Sequence, residues 1–236
     1  MSDDTPPDPS SDASRESPDP SLASSPDSSP EGIREWLTWL RRTDHGAVVF
    51  AREVASSALM VAVVGLVLFG ASGVWPPMVA VESGSMEPHM ERGDLVFLMD
   101  EGRLAPAYAT GETGVVTYRV GKERGFRKSG SYGDVIVYRP DGREETTPII
   151  HRARFWVNDS ENWYRKANPK YLAGDNCAEV THCPAPNAGF VTLGDNNELY
   201  DQAVGRSRPV RPSWVRGTAE LTIPELGHVR LAVSGN

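Results

Sequence analysis

Val54–Trp75 reads VASSALMVAVVGLVLFGASGVW, 22 residues without one charge. Wound as a helix, that length covers the roughly 30 Å hydrocarbon core of a bilayer. The core helix of a soluble domain is rarely apolar on every side. A cleavable leader is shorter and begins nearer the N-terminus. The stretch therefore predicts one transmembrane helix over 54–75, ended by Pro76 and Pro77.

Upstream, residues 1–30 are built from Ser, Pro and Asp, with Leu22 the only large apolar side chain after Met1. Such a stretch buries too little surface to offset its ordering entropy and reads as a disordered acidic tail. Residues 31–53 read as a juxtamembrane segment. Within it, Ile33, Trp36, Leu37 and Leu40 fall at helical spacing, predicting a short amphipathic helix over 31–46 at the membrane surface. Arg34, Arg41, Arg42 and Arg52 precede the span, whereas Pro76–Glu91 contains neither Lys nor Arg. The positive-inside rule then puts the N-terminus in the cytoplasm and residues 76–236 outside, on a single-pass protein of the cell membrane.

The net charge of −8 is local: residues 1–31 hold eight acids against Arg15 alone. No basic field remains to attract nucleic acid.

Downstream, DLVFLM (94–99), VVTYRV (115–120), DVIVYR (134–139), IIHRARFWV (149–157), GFVTL (189–193), AELTI (219–223) and HVRLAV (228–233) are short runs rich in Val, Ile, Thr and aromatics. Gly, Pro and Asp separate them, so each reads as a strand. The prediction is a mainly β, antiparallel domain over 76–236 carried on one N-terminal transmembrane helix. The stretches 101–114, 121–132 and 158–188 read as loops or hairpin insertions.

Three places could carry chemistry. Val81-Glu82-Ser83-Gly84-Ser85-Met86-Glu87-Pro88 forms a tight turn with two hydroxyls and free backbone N–H groups, shortly beyond the span. His151, in a predicted strand, has the side chain best suited to proton transfer near neutrality. In Gly194-Asp195-Asn196-Asn197-Glu198-Leu199-Tyr200-Asp201, Asp195 and Asp201 are carboxylates that could orient an imidazole, and spacing does not choose between them. Taken singly, each has a plainer reading: a Ser-Gly turn, a packed strand histidine, an Asx turn capping a strand. Cys177 and Cys183 could pair in an oxidising compartment, whereas a zinc site would need His182 and a fourth ligand.

Four blocks, SGSMEPHMERGDLVFL (83–98), GDVIVY (133–138), IIHRA (149–153) and VTLGDNNELYDQ (191–202), resemble the type I signal peptidase family, and most closely its archaeal and endoplasmic-reticulum branch. GTAELTIPELGHVRL (217–231) is similar to that family's closing segment. The resemblance implies a serine endopeptidase, without cofactor or metal, that removes signal peptides from exported preproteins after small-x-small sites. It implies Ser85 as nucleophile and His151 where the bacterial branch carries a lysine. It further implies Asp201 as the triad acid, Asp195 in support, and Ser83 with the Ser85 N–H as oxyanion hole. The implied partners are secretory preproteins, the lipid bilayer and the protein-export translocon. The acidic tail and the insertions near 101–132 and 158–188 have no counterpart in that pattern.

Three rivals stand beside it: a single-span extracytoplasmic binding module, a self-cleaving peptidase needing a lysine base, and a zinc hydrolase built on His182. The four lysines, Lys122, Lys128, Lys166 and Lys170, all fall in predicted loops.

Overall fold

The computed structural model describes residues 45–228 together with Gly32, Thr38 and Ala232. The predicted tail 1–30 and nearly all of the predicted amphipathic helix lie outside the described residues.

Among those residues one helix, α1 (Gly46–Ser72), is long and apolar enough to cross a membrane. Leu59, Met60, Val61, Leu66 and Val67 are exposed along it, an apolar surface that favours lipid over water. The helix begins at Gly46 rather than Val54, because Arg52 and Glu53 limit the apolar stretch without breaking a helix. It ends at Ser72, before the prolines. Gly73 takes a left-handed conformation (φ 78°) and donates its N–H to Phe69 O at 2.7 Å. Arg103 Nη1 donates to Gly70 O and Ala71 O at 2.6 and 3.0 Å, and Asp100 N donates to Ser72 O at 2.9 Å. The terminal carbonyls are thus satisfied by a cation and a backbone amide.

The chain continues through β1 (Met78–Ala80), β2 (Leu95–Met99), a short helix α2 (Tyr118–Arg124), the small hairpin β3 (Arg127–Lys128) and β4 (Ser131–Tyr132), then β5 (Val135–Tyr138), β6 (Ile149–Val157), β7 (Gly189–Leu193) and β8 (Val215–Ile223). Six strands form one antiparallel sheet in the order β1-β2-β8-β5-β6-β7. β5 is buried on both faces, which suits its unbroken VIVY sequence. Val135 and Val137 join Val81, Met86, Met90, Val96 and Leu98 in one core cluster, while Ile136 and Tyr138 face another with Phe190 and Val210. A third cluster, around Phe155, Trp163, Val191 and Tyr200, packs the 158–188 insertion onto β6 and β7. Cys177 and Cys183 form a disulfide within that insertion, which takes both sulfurs out of any zinc ligand set.

Two predicted strands are corrected. In 115–120, Val115 and Val116 are buried but unladdered, and Tyr118 opens α2. Val116 N donates to Asp134 Oδ2 at 2.7 Å, the Thr117 hydroxyl caps Val120 N, and Gly125 (φ 72°) closes the helix. Cap residues at both ends outweigh the β-branched composition of six residues. In 228–233, His228 and Ala232 are helical and the remainder lies outside the described residues. The last described strand, β8, is longer than AELTI because it starts at Val215, across a register shift opposite Val137 and Tyr138.

Candidate active site

Ser85 sits in a single 3-10 turn, Gly84–Met86, entered from extended Ser83. The turn is pinned from below: Met86 and Met90 are fully buried in the core cluster beneath it. It is held from the side by the Gly194–Asn197 turn. Asn196 N donates to Ser85 O at 2.9 Å, and Asn196 Nδ2 donates to Gly84 O at 3.1 Å. The hydroxyl is therefore presented on a fixed frame rather than on a loose loop.

β6 carries His151, 3% exposed, to the same place. Its Nε2 lies 3.0 Å from Ser85 Oγ and its Nδ1 lies 2.6 Å from Asp201 Oδ2. Asp201 is wholly buried and accepts three further hydrogen bonds: Thr192 Oγ1 at 2.7 Å, Tyr138 OH at 3.0 Å and Arg206 Nη1 at 2.8 Å. Burial by itself pushes this carboxyl up. The bond and charge of His151, the Thr192 hydroxyl and the Arg206 guanidinium outweigh that, and hold it below the ordinary 3.8. Tyr138 goes the other way: burial, then the Asp201 charge, push its phenol well above 10, so it remains a donor.

Asp195 stands apart from His151. Arg152 Nε and Nη2 grip it at 2.8 and 2.5 Å, and His89 Nδ1 lies 2.9 Å from Oδ2. The same fully buried guanidinium donates to Lys128 O, Ser129 O and Gly133 O. Burial raises the Asp195 carboxyl, but the hydrogen bonds and charge of Arg152, then those of His89, bring it below 3.8. Asp195 thus ties β6, the turn that carries Ser85 and the β3–β4 hairpin together, while Asp201 meets the imidazole. Ser83 Oγ lies 3.2 Å from Ser85 Oγ, on the exposed side of the turn.

Sequence reasoning missed Arg152, Tyr138, Thr192, Arg206 and His89 as members of this network. One signal was available: an arginine inside an apolar strand run needs a buried acid partner. Arg152→Ala, which strands Asp195 without its cation, should lower stability by about 3–5 kcal/mol. Denaturant titration of the full chain in detergent, followed by tryptophan fluorescence, reads that loss directly.

The hydroxyl and imidazole open onto a groove of about 720 Å³ whose apolar lining includes Val79, Ala80, Leu98, Val137, Ile149 and Ile150. β1, an edge strand, forms one wall. Among the described residues no cluster of three or more His, Cys, Asp or Glu side chains could hold a metal ion.

No established family profile matches the chain. Over 176 residues it is 30% identical to the signal peptidase complex catalytic subunit of Aspergillus oryzae, spanning 72% of this chain and 71% of that protein. It is 31% identical over 163 residues to the corresponding subunit of Eremothecium gossypii, spanning 68% and 67%. A third relative, from Lachancea thermotolerans, is 27% identical over 164 residues. Similarity of this extent over two thirds of both chains is not confined to a local motif, and the chain belongs to the type I signal peptidase family.

Proposed function

We propose that this signal peptidase cuts secretory preproteins through Ser85, His151 and Asp201. Ser85 Oγ attacks the carbonyl at the end of the leader while His151 Nε2 takes its proton. The imidazolium then protonates the departing amine, and water releases the acyl-enzyme. Asp201 holds the proton on Nδ1, so that Nε2 faces the hydroxyl as an acceptor. The Ser83 hydroxyl and the Ser85 N–H serve the developing oxyanion. The observation that carries this reading is the unbroken chain of contacts at 3.0 and 2.6 Å from hydroxyl to ring to buried carboxylate.

Among the described residues β1 is the end strand of the sheet, a position suited to pairing with an extended leader, whose small side chains then point into the apolar groove. α1 anchors the enzyme in the cell membrane with the N-terminus cytoplasmic and the β domain outside, on the arginine asymmetry of its flanks. Enzyme and leader then meet in two dimensions at high effective concentration, beside the export translocon that delivers the substrate.

The full chain purified in detergent and mixed with a secretory precursor should cut it once, directly after its small-x-small sequence. Tryptophan in place of the small residue before the cut should slow processing on the order of a hundredfold, since overpacking a shaped pocket costs a few kcal/mol. A precursor left intact, or a cut indifferent to that change, would overturn the reading.

A further inference from the structure

We infer that Asn197 is a further catalytic residue, positioning the water that hydrolyses the acyl-enzyme; this rests on the Ser85–His151 reading above. The starting point is Gly194. Its φ lies outside the left-handed region, so its conformation does not demand glycine. Space does. A Cβ there would lie 2.6 Å from Ser85 O, 2.7 Å from Asn197 Nδ2 and 2.8 Å from His151 Nε2. Three polar atoms from three separate segments ring the space over one bare Cα.

The Asn197 amide nitrogen is buried and has no hydrogen-bond partner among the described residues. Its own backbone N donates to Gly194 O at 2.9 Å, closing the turn that brings the side chain over Gly194. Asn197 also lines the groove that holds Ser85 and His151. A buried donor without a partner, beside a catalytic base, calls for an oxygen supplied by the reaction.

The roles of the three atoms select water. Ser85 O takes the Asn196 N–H on one lone pair and keeps another. His151 Nε2 is an acceptor whenever Asp201 holds the ring proton on Nδ1. Asn197 Nδ2 donates. A water molecule among them gives one hydrogen to Nε2 and the other to Ser85 O, and accepts from Nδ2. Its remaining lone pair is free for the acyl carbon on Ser85 Oγ, itself 3.0 Å from Nε2. The oxyanion groups at Ser83 are a separate set of donors.

In the step, the water oxygen bonds to the acyl carbon, and the carbonyl π pair moves onto the oxyanion. One water proton passes to Nε2. On collapse the carbon–Oγ bond breaks, Oγ takes that proton back from His151, and the leader leaves with a new C-terminal carboxyl group. Asn197 neither gains nor loses a proton; it fixes the trajectory.

The test compares formation and decay of the Ser85 adduct, using a leader-derived peptide ester whose good leaving group makes acylation fast. Rapid-quench mass spectrometry of the full chain in detergent follows both phases. In Asn197→Ala, decay should slow roughly ten- to hundredfold more than formation, the scale of one lost hydrogen bond in a transition state. Asn197→Asp keeps the shape but, ionised, has no donor, and should behave likewise. Equal slowing of both phases, unchanged decay, or rescue by Asn197→Asp alone would overturn the inference. Ser85→Ala is run beside them: an adduct or cleavage in that variant would instead remove the nucleophile assignment.

Discussion

Ser85→Ala should reduce precursor processing by about a millionfold, the scale seen when a serine nucleophile is removed from a triad, while the protein inserts and folds as before. The hydroxyl contributes to the site through His151 Nε2 and Ser83 Oγ, and both contacts face the groove. The turn is held by other means: Met86 and Met90 in the core beneath it, and Asn196 on the carbonyls of Gly84 and Ser85. Alanine keeps all of these. Ser83→Ala, which removes one proposed oxyanion donor and leaves the nucleophile, should cost only about a hundred- to a thousandfold. Quantitative precursor cleavage by the three proteins, normalised to folded enzyme by tryptophan fluorescence, checks the ranking. Equal rates for wild type and both variants would remove this turn from the chemistry.

Much of the architecture is readable along the chain because it rests on local patterns. The span declares itself by 22 uncharged residues, and β6 and β7 by short β-branched and aromatic runs between turn residues. Of the two misread segments, 115–120 carries two competing local signals. Val115 and Val116 are buried without joining a strand ladder, whereas Thr117 and Gly125 bracket a helix of seven residues that takes in Val120. Composition over a short window favoured the strand, and caps and tertiary packing decided otherwise.

The site divides along similar lines. Ser85 and His151 show as candidates, a hydroxyl on a tight turn and the single histidine in a β run before the cysteine-bearing insertion, although each taken singly has a plainer reading. The choice of acid does not, because it depends on how a loop folds back. Asp195 and Asp201 are both reached from β7, and only the path of residues 194–206 carries one of them under the ring. Arg152 was legible in principle, and its partner was not: a buried guanidinium announces a need for an acid without saying which.

Asp201→Asn should lower turnover by about ten-thousandfold, the cost of holding a catalytic imidazole in the wrong tautomer. The neighbours force that outcome. Oδ1 accepts from Arg206, a guanidinium with no acceptor to offer, so the asparagine oxygen must face it. The new NH₂ then points at His151 Nδ1, Tyr138 and Thr192. The two hydroxyls can rotate to accept, but Nδ1 accepts only by giving up its proton to Nε2. A protonated Nε2 is a donor facing Ser85 Oγ and cannot act as a base. Asp195→Asn is the control, since it disturbs Arg152 and His89 while leaving the tautomer alone; its loss should appear chiefly in stability. Acid exposes the same contacts. Asp201 and Asp195 both titrate below 3.8 in the folded protein, so their stabilisation is complete above the ordinary carboxylate range. It is lost as pH falls through the depressed values. Thermal melts of wild type and Asp201→Asn from pH 7 to pH 2 should therefore converge toward the acid end, where Asp201 no longer carries charge in the wild type either. Wild-type turnover by Asp201→Asn, or a ten-thousandfold loss in Asp195→Asn with stability intact, would exchange the roles of the two acids.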